Sequence, residues 1–200
     1  MGKFIVIEGI DGCGGQTQTN LLQEYFKKEE TLFLSFPAYK TELGNIVDLF
    51  LHKKIVYTEK SVELLVYFSD ILQFKQEILK ALKEGKNVIC DRYFTSTIVF
   101  QSLDKEDNLN KILKLNEMFE LPAPDICFLL DISGEESQKR KSFEKKGFEN
   151  LDRNEGNLIF MKSIREQYLK IAKEQIFCRW EIINGEKSIN EVFDNIIKKL

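Results

Sequence analysis

Arginine is scarce in this chain: five residues, Arg92, Arg140, Arg153, Arg165 and Arg179, stand among 29 basic side chains. Guanidinium is the side chain best shaped for bidentate phosphate binding, so each position matters individually. A cationic excess is missing as well. The 32 acidic residues leave a net charge of −3 over 200 residues, so no global basic field exists to condense on nucleic acid or on an anionic membrane, and neither is expected as a partner. Any polyanion must be met locally. No cysteines are spaced as in zinc or redox motifs: Cys13, Cys90, Cys127 and Cys178 lie far apart, which fits a reducing cytoplasm. No apolar stretch approaches the roughly 18 residues of a membrane span, and no cationic leader precedes the apolar run at Phe4, so neither insertion nor export is expected. The single histidine, His52, has no cysteine or histidine near it and receives no role.

What is present is a globular composition, 43% hydrophobic and 30% charged, with length for one unit over residues 1–200 and a sizeable core. Phe4-Ile5-Val6-Ile7 is a continuous apolar run that leaves through Gly9, Gly12, Gly14 and Gly15, the pattern of a buried strand entering a glycine loop. Helical spacing follows over Thr17–Lys28, then a strand over Thr31–Phe36 ended by Pro37. Leu43–Phe50 and Ser61–Leu82 read as helices, the second one long and stopped by Gly85. Asn87–Cys90 is a third strand, Asn108–Phe119 a helix, and Asp125–Asp131 a fourth buried strand. The remainder reads as a helix over Glu135–Phe143, a charged connection over Lys145–Asn157 and a helix over Leu158–Glu174. A last strand over Trp180–Ile183 and an amphipathic helix over Ser188–Leu200 close the chain. Strands without polar alternation, separated by helices, predict a parallel sheet covered on both faces. Ligands of such sheets sit at the carboxyl ends of the strands, which directs attention to the glycine loop, Phe36-Pro37, Asp91-Arg92 and Asp131.

The segment from Glu8 to Gln18 occupies the place of a phosphate loop. Glycines there let successive backbone N–H groups curl around a phosphate, and the following helix adds its positive dipole end. In the usual pattern, G-x-x-x-x-G-K-[ST], a lysine and a hydroxyl residue stand where this chain has Gly15 and Gln16. Thr17 reads either as a helix-start residue or as the hydroxyl that helps hold magnesium. Asp91-Arg92 follows a buried strand beside the loop. Such a carboxylate can hold Mg²⁺ through water while the arginine forks onto an acceptor monophosphate; the same two residues could also close the strand as a salt-bridged pair.

The ordered set of blocks from about residue 3 to the C-terminus resembles the thymidylate kinase family. Glu8-Gly9-Ile10-Asp11-Gly12-Cys13-Gly14-Gly15-Gln16-Thr17-Gln18 is similar to its E-G-x-D-G-x-G-K-S-T-Q loop, and Phe36-Pro37 through Thr41 and Gly44 to its F-P-x-R-x-T-x-x-G segment. Asp91-Arg92-Tyr93 with Ser96, Phe100 and Gln101 looks like D-R-Y-x-x-S followed by Y-Q, and Pro124-Asp125 with Leu129-Leu130-Asp131 like P-D-x-x-x-x-L-D. Tyr168 and Trp180 also fall where the family carries them. The resemblance implies a three-layer α/β P-loop NTPase fold with a five-stranded parallel sheet, and transfer of the ATP γ-phosphate to dTMP with Mg²⁺ in a cytoplasmic homodimer. It places Gly9, Gly12, Cys13, Gly14, Gly15, Gln16, Thr17 and Gln18 around ATP, and Thr17 and Asp91 at the metal. Asp11, Asp91, Arg92 and Arg140 take the catalytic positions, and Phe36, Pro37, Lys40, Tyr67, Phe68, Arg92, Ser96 and Gln101 the dTMP site. The lid falls over approximately 135–152. Tyr39 and Ile71 stand where the family has arginines, with Lys40 beside the first. Together with Gly15 these departures also fit a nucleotide-binding relative with weak or no turnover, or a kinase of another deoxynucleotide.

Overall fold

Continuous apolar runs become the inner strands here because both of their faces are covered. A computed structural model of the chain describes residues 2–27, 30–52, 54–57, 59–103, 106–144 and 157–200. Within them the strands are β1 (Phe4–Glu8), β2 (Thr31–Ser35), β3 (Asn87–Asp91), β4 (Ile126–Asp131) and β5 (Trp180–Asn184). They form one parallel sheet in the order β2-β3-β1-β4-β5. Every residue of the central β1 is buried, whereas the edge strands β2 and β5 mix buried with exposed positions.

The helices are α1 (Gly15–Phe26), α2 (Glu42–Leu51), α3 (Lys60–Leu72), α4 (Lys75–Lys83), α5 (Phe94–Gln101), α6 (Glu106–Phe119), α7 (Gly134–Glu144), α8 (Leu158–Lys173) and α9 (Ile189–Lys199). Right-handed crossovers put α1 on one face of the sheet and α4, α5 and α8 on the other; after β5 the chain returns to lay α9 against α1. The expected three-layer arrangement is therefore present. A capping box starts α9, with Ser188 and Glu191 each satisfying the other's backbone N–H.

Two elements differ from expectation. The long helix over Ser61–Leu82 is two helices, α3 and α4, broken at Gln73-Phe74. The Gln73 amide donates to the Asp70 backbone carbonyl at 2.9 Å, to the Asp70 carboxylate at 3.0 Å and to Thr41 Oγ1 at 3.2 Å, competing with the helical ladder. The Phe74 N–H bonds Ile71 instead of continuing the α pattern, and its ring packs edge-on against Phe36. The other difference is α5, which has no amphipathic stripe because Phe94, Thr95, Thr97, Ile98 and Val99 are all buried. The expected charged connection, and with it Lys145, Lys146, Arg153 and the distal part of the lid, lies outside the described residues.

The register brings the functional ends together. Ile7 pairs with Asp91 and Glu8 with Leu129, and the Arg92 N–H extends the ladder by donating to the Ile7 carbonyl at 2.9 Å. The chain reverses its strand order at β1, the switch point where open α/β sheets hold ligands.

Candidate functional site

The loop after β1 reaches α1 through Gly14, whose φ of 95° and lack of a side-chain cap leave the first-turn N–H groups of α1 facing outward at the positive dipole end. These groups open onto a cavity of about 610 Å³. Loop residues 8–18 line it together with Asp91, Arg92, Arg140, Lys141, Gly185 and Lys187. The Cys13 thiol is not a reactive group. It packs against Gly9, and burial pushes its pKa up to about 12. Gln18 is buried and its amide donates to the Ile189 carbonyl at 3.0 Å, tying α1 to α9. At Gly15 a Cβ would stand 2.6 Å from Asp91 Oδ1, so the missing side chain is what admits the carboxylate.

A second cavity of about 340 Å³, within the roughly 300–1,000 Å³ of small-molecule sites, lies under α2, α3 and α5. Phe36, Pro37, Tyr39, Tyr67, Ile71, Ser96, Phe100 and Gln101 line it. The loop leading to it is held by Thr41, which caps α2 by accepting the Gly44 N–H at 3.0 Å. Gly44 has no alternative, because a Cβ there would meet the Ala38 carbonyl at 2.0 Å. The buried Asp70 accepts the Ala38 N–H at 3.0 Å, and burial holds its carboxyl above the usual range.

Asp11, Arg92 and Lys141 line both cavities. Arg92 adopts φ 66°, the left-handed region that bulky residues rarely enter, and such strain persists only where the surroundings impose it. They do so here. Arg92 Nη2 donates to Asp11 Oδ1 at 2.6 Å, and Nη1 lies 3.4 Å from both Ser96 Oγ and Tyr168 OH. Beneath it Glu8, 1% exposed, is a hub. Its Oε1 accepts the Tyr93 N–H at 3.1 Å and the Thr95 hydroxyl at 2.6 Å; its Oε2 accepts the hydroxyls of Ser96 at 2.7 Å and Tyr168 at 2.6 Å. One carboxylate thereby joins β1, the start of α5 and α8 around the guanidinium. Burial raises the Asp91 carboxyl from 3.8 to about 6, against the lowering pull of Arg92 and with Glu8 and Asp11 adding to the rise.

The model of the family described as "Thymidylate kinase" matches residues 7–196. The chain belongs to the thymidylate kinase family. A thymidylate kinase of Thermoanaerobacter sp. (strain X514) is 36% identical over 98% of this chain and 96% of its own length, and one of Plasmodium falciparum (isolate 3D7) is 30% identical over 100% and 90%. Among solved structures, thymidylate kinase from Ehrlichia chaffeensis superposes with a TM-score of 0.74 at 27% identity, covering 99% of this chain and 98% of that one. The Candida albicans enzyme shares the fold with a TM-score of 0.78 at 23% identity, covering 99% and 90%.

In this thymidylate kinase-family chain all the loop residues expected around a nucleotide, Gly9 through Gln18, line the first cavity with Asp91 and Arg140. Asp11 and Arg92 stand at the junction, and Phe36, Pro37, Tyr67, Ser96 and Gln101 line the second cavity. Two expected residues are placed elsewhere. Phe68 is 2% exposed and packs on Phe94 and Phe119 in the core, and Lys40 is an exposed residue outside the lining. Residues that sequence reasoning left without a role also lie in or under the site: Glu8, Tyr168, Lys141, and His52 with Asp48 at the second cavity. An acidic residue ending an otherwise apolar strand was the available signal for Glu8.

Proposed function

We propose that the chain is an ATP-dependent dTMP kinase, forming ADP and dTDP, and that it acts as one unit. What carries the reading is the meeting of two cavities at Asp11 and Arg92, one walled by a glycine loop and a helix N-terminus, the other by apolar and amide side chains. A kinase has to bring two phosphates end to end and keep water from the donor. Donor phosphates lie against the N–H groups of the loop from Gly12 to Thr17. Arg92, pre-oriented by Asp11 and the Glu8 hub, forks onto the acceptor phosphate. An acceptor oxygen then bonds to the γ-phosphorus as the bond to the β–γ bridging oxygen breaks, and that electron pair leaves on ADP.

The residues present fit magnesium. Mg²⁺ takes one or two carboxylates plus substrate phosphates and water rather than a protein cage. Asp91, raised to about 6 mainly by burial, faces the loop where Thr17 offers a hydroxyl. Bound with the nucleotide, Mg²⁺ would supply positive charge against the phosphate oxygens. Arg140 is committed to Glu136 at 2.8 Å and to the carbonyls of Gly12 at 3.2 Å and Gly185 at 3.1 Å, which fixes its charge in the wall of the donor cavity. In the acceptor slot Tyr67 supplies a ring for the base, and Gln101, held by Glu63 at 3.0 Å, supplies a two-way amide.

A cytoplasmic homodimer completes the reading. Free cysteines suit a reducing compartment, and Val62 and Leu65 expose apolar side chains one helical turn apart on α3. Among the described residues no helix is long and apolar enough to cross a membrane. The deciding assay couples ADP release to ATP with a panel of nucleoside monophosphates. Turnover with dTMP is expected. Silence with every acceptor would refute the kinase reading, and preference for another monophosphate would move the substrate.

A further inference from the structure

A phosphate loop without its lysine lacks the cation that ordinarily accompanies the γ-phosphate. In this chain the vacated space at Gly15 faces Asp91 Oδ1, and Glu8, Asp11 and Asp91 crowd the loop around Arg92. The charge has to enter from another element, and α7 brings one. Ser137 Oγ donates to the Asp11 carbonyl at 2.6 Å and Arg140 Nη1 to the Gly12 carbonyl at 3.2 Å, so this helix is fastened to the backbone of the loop itself. The next residue, Lys141, runs its stem across Gly12: a Cβ placed on that glycine would lie 3.4 Å from Lys141 Cγ. Its side chain is 19% exposed and lines both cavities. Arg92, the other cation bordering both, is tied to Asp11 at 2.6 Å.

We infer that Lys141 takes the place of the absent loop lysine, carrying its ammonium on α7 to the junction where the phosphoryl group passes from donor to acceptor. The inference rests on the kinase reading. Lys141 Nζ pairs with Glu144 at 2.9 Å, and Glu144 is 65% exposed. An ion pair whose carboxylate end is open to solvent holds weakly and yields to a phosphate dianion. Lysine is a point charge on a flexible stem, so it can follow the moving group by rotating about the packed Cγ.

The test compares the wild-type chain with Lys141→Met, Lys141→Arg and Glu144→Gln. With ATP and dTMP, Lys141→Met is expected to lower kcat roughly 100-fold, the scale of losing one charge-stabilising group, with KM for dTMP changed by less than about threefold. Lys141→Arg keeps the charge and recovers most of kcat, and Glu144→Gln keeps it in full. Thermal midpoints of all four stay within about 2 °C, because methionine and arginine keep the packed stem and an ion pair open to solvent at Glu144 contributes little. A second readout needs no turnover: by titration, Lys141→Met lowers the ratio of ATP to ADP affinity about tenfold. Wild-type kcat and an unchanged affinity ratio in Lys141→Met would overturn the inference. If the wild type turns over no monophosphate, the kinase reading falls, while the ATP to ADP ratio still decides whether Lys141 meets the γ-phosphate.

Discussion

Replacing Asp91 by asparagine is expected to make the protein more stable and nearly inactive. The unfolded chain releases this proton near 3.8, whereas the folded protein holds it up to about 6, chiefly because the carboxyl is buried. Between those values the native state binds a proton that the unfolded state has lost, so stability falls as pH rises through the window. Above about 6 the whole penalty is in force. The gap corresponds to about 3 kcal/mol at full burial and about 2 kcal/mol once partial solvent contact is allowed for. Asparagine has the same outline and no charge to desolvate. Urea unfolding of the nucleotide-free, magnesium-free protein should therefore show Asp91→Asn ahead by about 2 kcal/mol at pH 7.5, roughly 1 M in midpoint for a slope near 2 kcal/mol/M. The advantage should shrink to about 0.5 kcal/mol at pH 4 and vanish by about pH 3. Turnover in the coupled assay should drop by about 100-fold, since the group beside the loop no longer carries charge. Equal midpoints at pH 7.5, or a less stable variant, would show that the carboxylate is adequately paired in the folded state and would refute the reasoning.

Arg92→Ala should weaken binding of the acceptor monophosphate by about 1.5–3 kcal/mol, the range for charge-assisted hydrogen bonds; calorimetric titration with dTMP measures it, and unchanged affinity removes Arg92 from the acceptor site. Glu8→Gln turns an amide into the hub that now accepts from Tyr93, Thr95, Ser96 and Tyr168, leaving buried donors facing each other. It should cost about 1–3 kcal/mol in unfolding experiments and lower acceptor affinity through a loosened Arg92; stability equal to wild type would mean the hub is not needed. Restoring the usual loop with Gly15→Lys and Gln16→Ser should lower turnover, because the new Cβ would fall 2.6 Å from Asp91 Oδ1; a gain in kcat would contradict it.

The sheet was readable because its inner strands are continuous apolar runs, and burial on both faces leaves that pattern no substitute. The chemistry at the strand ends was readable for the same reason, since a charged or glycine-rich stretch directly after such a run has nowhere to go but the switch point. The break between α3 and α4 was not, because part of its cause lies in Thr41 and Phe36, more than thirty residues away in sequence. Periodicity failed at α5, a helix buried on nearly every side. Of two adjacent rings on α3, Tyr67 faces the cavity and Phe68 the core, a matter of helix rotation that only packing sets. Lys141 sits in a mixed charge run that reads as a solvated face until α7 is seen resting on Gly12.

The bonds that fasten α7 to the phosphate loop are made by Ser137 and Arg140 to main-chain carbonyls of Asp11 and Gly12, groups present whatever side chain the loop carries. The attachment asks for a glycine only at position 12, where α7 rests, and makes no use of the side chain at position 15, which can change without the loop parting from its neighbouring helix. A charge can then migrate from one element to another while the cradle keeps its shape. A motif written only in loop letters would pass over this chain; one written as a loop plus the helix that grips it would not.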